Sequence, residues 1–184
     1  MKKQIIMALL LLAISISGAI AMEEPDPATV FYNNSPMTTM VSRYFHQDPI
    51  VVISVGQSYR EFPGDVLVNF YLTQKTGTDP FTINKWRKEA MSWQEIVEKL
   101  NVNPSMFYIS TGGAHIPSEF RHAYGQYHSW LNYGKPIKLY DGEYRNLAGL
   151  KFAKDILGYK ATAGQIMRAR NSGKKYFQII KTYK

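Results

Sequence analysis

The sequence predicts an all-α fold, a single domain built from two related multi-helix units joined by an aromatic-rich central segment. Three observations carry this expectation. Between Ile83 and Leu100, Ile83, Trp86 and Ala90 fall at i, i+3 and i+7. After a break near Met91 and Ser92, Trp93, Ile96, Val97 and Leu100 fall at i, i+3, i+4 and i+7. That is the period of two short amphipathic helices meeting at a sharp joint. The pattern then returns at a constant offset: Ile166, Ala169 and Gly173 take the first set, Tyr176, Ile179, Ile180 and Tyr183 the second, and Arg87 lands on Arg170. Finally, proline and glycine punctuate the chain as helix starts and stops, at Ser35-Pro36, Asp48-Pro49, Asp79-Pro80, Gly77 and Gly158.

The N-terminus reads as an export signal. Lys2 and Lys3 precede an apolar run from Ile5 to Ile14, and Ala19-Ile20-Ala21 supplies small residues for cleavage after Ala21. The run is short for a bilayer span, which disfavours an uncleaved anchor. Residues 1–21 are thus expected to be a signal peptide and 22–35, acidic with Pro25 and Pro27, a flexible leader. Residues 36–184 form the helical domain, with repeat units at about 66–100 and 147–183. The expected location is outside the cytoplasm, periplasmic or secreted.

Taken in order, Ser35 caps a helix from Pro36 to about His46, whose Met37, Met40, Val41, Tyr44 and Phe45 share one face. Residues 50–55 carry two readings. Their β-branched run suggests a buried strand. Asp48-Pro49, Val52, Val55 and Tyr59 instead match Asp79-Pro80, Ile83, Trp86 and Ala90, which suggests a degenerate third helical copy; Phe62 would then stand for Trp93, and Asp65 and Asn69 break the match further on. Residues 66–75 form a helix stopped at Gly77, and Asp79-Pro80 opens the next. In the later unit a helix over 147–157 stops at Gly158, and Lys151 falls where Phe70 stands. Asn103-Pro104 starts a one-turn helix. Pro117-Ser118-Glu119 opens a helix with Phe120, Tyr124, Tyr127 and Leu131 on one face, which Gly125 weakens. Residues 132–142 form a connector.

Charge and composition narrow the function. The chain has no cysteine, so no disulfide framework, thiolate metal site or cysteine nucleophile is available. Its net charge is +8, and from Arg145 onward ten basic residues face a single acid, Asp155. Such asymmetry attracts anionic partners, although a solvated helix surface gives the same composition. No G-x-S-x-G elbow, phosphate-binding glycine loop or dinucleotide fingerprint occurs. The units have the length of a DNA-binding helix-turn-helix, but export and the inward phase of Trp86 and Trp93 argue against a DNA role.

Two clusters are candidate sites. Tyr124, Tyr127, Trp130 and Tyr133 sit poorly phased among Gly, His and Gln, a composition that suits a partner-binding surface and equally a polar-rimmed core segment. His115, Glu119, His122 and His128 offer imidazole and carboxylate donors for zinc or copper, without the spacing of a compact metal motif. Scattered surface histidines fit the same pattern. The reading is a non-enzymatic binding module that needs no cofactor, with an unknown protein or an anionic envelope component as partner. The alternative is a histidine-centred metal-binding protein or enzyme.

Arg87, Ala90 and Trp93, repeated as Arg170, Gly173 and Tyr176, together with Phe107-Tyr108 and the run Ala123-Tyr124-Gly125-Gln126-Tyr127, resemble exported bacterial helical proteins with a duplicated helix-turn-helix-like unit. The resemblance spans roughly residues 62–180. It implies an all-helical fold and an envelope location, and it brings no activity and no site residue.

Overall fold

The structure is a computed structural model that describes residues 35–59 and 63–184. The expected signal peptide, nearly all of the leader, and Phe62 lie outside the described residues. Within them the chain is helical and without strands: α1 (Pro36–Phe45), α2 (Pro49–Ser58), α3 (Gly64–Thr76), α4 (Pro80–Lys88), α5 (Trp93–Lys99), α6 (Ser118–Tyr133), α7 (Asp141–Leu157), α8 (Ala163–Asn171) and α9 (Tyr176–Tyr183). Short 3₁₀ turns occupy Pro104–Phe107 and Gly158–Lys160.

The helix starts follow from side-chain oxygens that accept otherwise orphaned backbone N–H groups. Ser35 accepts from Thr38 N at 2.9 Å, Asp48 from Ile50 N at 2.7 Å and Asp79 from Thr82 N at 3.0 Å, each with proline in the first turn. Ser92 with Glu95 and Thr162 with Gln165 form reciprocal capping boxes. At the other end, Gly77 adopts a left-handed φ of 73° and its N–H bonds Thr73 O, closing α3 as expected.

Residues 50–55 are helical. Asp48 and Pro49 nucleate α2, and Val52 and Val55 are buried on it, so the cap outweighs the β-branched run. Gly125 does not interrupt α6, and Leu131 is not on its buried face; Phe120, Ala123 and Tyr127 are. Helix α7 begins at Asp141, before the 147 expected, because the Glu143 side chain accepts from Tyr140 N at 2.8 Å and draws the first turn out of the connector.

Helices α3 and α7 form the centre and make the most extensive helix–helix contact. They run in the same direction: Asp65 meets Arg145 near their starts, and Lys151 lies over the Tyr71 ring further along. Gly64 lets the backbones approach, since a Cβ there would sit 3.1 Å from Arg145 Cβ. Helix α3 is buried from Asp65 through Leu72, so its apolar residues spread all round rather than along one stripe. An aromatic cluster of Tyr44, Phe45, Phe70, Tyr71, Phe107 and Phe152 fills the space between α1, α3 and α7.

The two joints share one geometry. After α4, Ala90 N bonds Arg87 O and Met91 N bonds Trp86 O; after α8, Gly173 N bonds Arg170 O and Lys174 N bonds Ala169 O. Ala90 and Gly173 both have positive φ, 65° and 91°. In each, the arginine stacks on the aromatic that opens the next helix, Arg87 on Trp93 at 4.8 Å and Arg170 on Tyr176 at 5.7 Å. Beyond the joint the units differ in surroundings, because α5 and α9 both pack against α7.

Candidate functional site

Behind the first joint lies a partly buried ion network, centred on buried Asp65, that sequence reasoning missed. Asp65 Oδ1 accepts from Arg145 Nε at 2.6 Å and from Trp93 Nε1 at 2.7 Å. Arg87 Nη2 is 2.8 Å from Asp141 Oδ2 and 3.7 Å from Asp65 Oδ2. Asp141 Oδ1 also accepts from Trp93 N at 2.7 Å, and Arg87 donates to Met91 O. Two carboxylates thus face two guanidiniums, and the indole N–H takes a further acceptor site. The charges cancel and the strong donors are engaged, so the cluster holds α3, α4, α5 and α7 together rather than waiting for a substrate. A signal did exist: Asp65 was the residue that spoiled an apolar pattern, and Arg87 the one that repeated.

The predicted aromatic set is divided by the fold. Tyr127 is fully buried and donates to Pro104 O at 3.2 Å; it belongs to the core, so it presents nothing to a partner. Tyr124 is half-buried and donates to Ile109 O at 2.8 Å. Burial pushes both phenols up from their ordinary value. Trp130 packs part of its ring against the core. Only Tyr133 is open, at 71% exposure. Leu131 at 56% and Tyr140 at 71% are exposed as well, neither of them in the predicted set.

The connector explains Tyr140. Ile137 and Leu139 are buried, while Lys138 and Tyr140 face out. Two hydrogen bonds fix this alternation, Lys138 N to Gln126 Oε1 at 3.3 Å and Leu139 N to Gln94 Oε1 at 3.1 Å. The period-2 pattern was present in Ile137-Lys138-Leu139-Tyr140, a signal that could have found Tyr140. The resulting edge runs along the solvent side of α6 and the connector. It carries Lys135 over the Tyr133 ring at 5.9 Å and His128 against the same ring at 6.4 Å. No acidic residue occurs between Phe120 and Tyr140.

The histidine set does not assemble. His122 turns away from Glu119 to Glu143, with Nδ1 2.8 Å from Glu143 Oε1 and its ring stacked on Tyr140 at 5.1 Å. His115 and His128 are exposed elsewhere. Among the described residues no group of three His, Cys, Asp or Glu side chains is placed to hold a metal ion. The reason is geometric: α7 delivers the carboxylate that meets His122, and His115 lies in the loop before α6. His115, Glu119, His122 and His128 therefore do not form one donor set.

These features define an all-α domain with a partly buried ion network joining four helices and an exposed aromatic stretch whose own sequence carries no acid. Compared with protein-family models, with characterised proteins and with solved structures, the chain matches none. Among the described residues no helix is long and apolar enough to cross a membrane.

Proposed function

We propose that this chain is an exported, non-enzymatic binding module of the cell envelope, which takes an acidic protein partner on the edge formed by α6 and the connector. One observation carries the reading. The segment from Phe120 to Tyr140 has no acid in its own sequence, and along it Leu131, Tyr133 and Tyr140 are exposed together with Lys135 and Lys138, Lys135 lying over the Tyr133 ring. Rigid aromatic rings give contact area at low entropic cost, and neighbouring cations select an acidic partner and speed its encounter. Export rests on the N-terminal Lys2-Lys3, apolar run and Ala19-Ile20-Ala21 pattern.

Photo-crosslinkers placed at Tyr133 and Tyr140 test the reading in the exporting host, with one at exposed Ile50 as control. The expected result is one acidic protein crosslinked from both edge positions and not from Ile50, and lost from pull-downs of the Tyr133→Ser/Tyr140→Ser variant at unchanged melting temperature. Equal crosslinking from Ile50 would remove the edge as the binding surface. N-terminal sequencing of the mature chain should begin at Met22; an uncut chain retained in the cytoplasm would remove the envelope assignment.

A further inference from the structure

We propose that the C-terminal face of the domain docks on an anionic lipid surface, with Tyr159 at its tip and lysines of α7 and α9 around it. This surface shares no residue with the α6 edge and stands or falls separately from it.

Helix α7 stops at Gly158, whose φ of 56° throws the chain outward. Tyr159 follows at 95% exposure, the highest of the large hydrophobic residues described. Its surroundings are basic. Lys154 folds back to donate to Gly158 O, which brings its ammonium to the turn. Lys160 comes next in the chain, and its Nζ donates to Lys184 O at 3.1 Å, joining the end of α9 to the same turn. Lys174, just ahead of α9, and Gln178 and Lys181 on it line one open strip, and Lys184 follows Lys181 by about one helical turn. Asp155, the only acid after Arg145, is held by Lys151 at 3.2 Å and by the Tyr44 hydroxyl, so it does not neutralise the strip.

The arrangement fits a bilayer surface better than a folded partner or a polymer. A tyrosine places its ring at the headgroup level and its hydroxyl in water. Lysines spread around such a ring reach anionic headgroups by their flexible stems. A single ring projecting from a turn suits a soft, flat surface that closes around it. No span crosses the membrane among the described residues, so attachment would be reversible, and a ring plus a basic patch supplies the two signals that peripheral binding needs.

Vesicle co-sedimentation with the full chain tests this, using phosphatidylglycerol–phosphatidylcholine vesicles against pure phosphatidylcholine at low and high salt. The apolar N-terminal run contributes alike to every variant, so the signal is the salt-sensitive, phosphatidylglycerol-dependent part. Lys174→Gln/Lys181→Gln/Lys184→Gln should lower that partition on the order of 100-fold, at roughly fivefold per lysine. Tyr159→Ser should lower it about tenfold while Tyr159→Phe retains it, since the ring carries the contact. Tyr133→Ser/Tyr140→Ser should leave it unchanged. Equal binding to neutral vesicles, or indifference to the lysine variant, would overturn the proposal. So would full binding by Tyr159→Ser, which would remove the ring from the contact, or retention on heparin without retention on vesicles, which would indicate a soluble polyanion instead.

Discussion

Helix α9 docks on α7 through one close contact, and its strength can be measured by a change of sign. The Tyr176 ring packs against Gly149; a Cβ at position 149 would sit 2.2 Å from Tyr176 Cε2 and 2.3 Å from Cδ2. Carbon atoms rest at about 3.5–4.0 Å, so the ring would have to leave its place. It is tethered there by its hydroxyl, which donates to Asn146 O at 2.6 Å, and by Arg170 against its face. Gly149→Ala should therefore cost about 1–3 kcal/mol in overpacking and about 1 kcal/mol in the hydrogen bond. Against this stands about 1 kcal/mol of improved helix propensity for alanine over glycine. The net loss is about 1–3 kcal/mol, or roughly 2–10 °C in melting temperature for a domain of this size. In a Tyr176→Ala background the clash is gone and only the propensity remains. There Gly149→Ala should stabilise by about 0.5–1 kcal/mol. Urea denaturation of the four variants, followed by helical circular dichroism, completes the cycle. If Gly149→Ala costs the same in both backgrounds, the ring is not the cause and the docking of α9 described above is wrong.

Asp65→Ala should lose about 3–5 kcal/mol by stranding Arg145 and the Trp93 indole, and Asp65→Asn should lose less; equal stability of Asp65→Ala and wild type in urea melts would refute the network. Tyr127→Ala should cost about 3–5 kcal/mol, as a large buried aromatic does, while Tyr133→Ala stays within about 0.5 kcal/mol; the reverse ranking in thermal melts would return Tyr127 to the surface. The shared joint predicts opposite effects from opposite swaps: Ala90→Gly should stabilise and Gly173→Ala destabilise, each by about 1 kcal/mol, because both positions hold a left-handed φ. Alkaline pH should unfold the domain. Burial, and the bond to Asp155, push the Tyr44 hydroxyl from 10.0 up to about 12, and burial raises Tyr59, Tyr71, Tyr124, Tyr127, Tyr144 and Tyr176. The unfolded chain then releases these protons first, so stability is full below about pH 10 and falls as pH rises through the folded values, Tyr44's share between pH 10 and 12. Circular dichroism that persists while absorbance shows all tyrosines ionised would contradict this.

What was legible in the sequence was local. Caps at Ser35, Asp48, Asp79 and Ser92 and the stop at Gly77 act within a few residues, and the structure places helix ends at them. The break at Met91 and Ser92 was equally local, a loss of phase between Ala90 and Trp93. The ion network was hidden because its members come from α3, α4, α5 and α7, some eighty residues apart at the Asp65–Arg145 bond. Nothing near Asp65 in the chain announces its cation. The aromatic segment was ambiguous for another reason. Tyrosines at 124, 127 and 133 are chemically alike, and burial depends on which neighbours cover each ring, here the turn at Pro104–Phe107 beneath Tyr127. The histidines left two readings open because closeness in sequence does not by itself bring side chains together; His122 found Glu143 from another helix.

The same tyrosines explain how a chain without cysteine fixes its irregular parts. Residues 101–117 have little regular structure, so their carbonyls lack ladder partners. Helix α6 supplies them: Tyr124 donates to Ile109 O and Tyr127 to Pro104 O, two bonds that pin the segment at both ends of its middle stretch. Elsewhere Tyr176 donates to Asn146 O, Tyr144 to Gln94 Oε1, and Tyr71 to the Tyr44 hydroxyl, which itself meets Asp155. Each ring buries apolar area while its hydroxyl satisfies a polar atom that a phenylalanine would leave bare. A disulfide would act mainly by restricting the unfolded chain; these hydroxyls act in the folded state alone, so they fail together once alkali ionises them. With so many rings committed inward, Tyr133, Tyr140 and Tyr159 stay exposed; Tyr133 meets only surface Lys135 and His128, and Tyr140 stacks on exposed His122. Tyr133 and Tyr140 belong to the stretch 120–140, which has no acid of its own, and Tyr159 stands next to Lys160 and the Lys154 ammonium. Internal rings set stability and external rings are where binding is to be sought, and the contrast between Tyr127 and Tyr133 variants separates the two on a single helix.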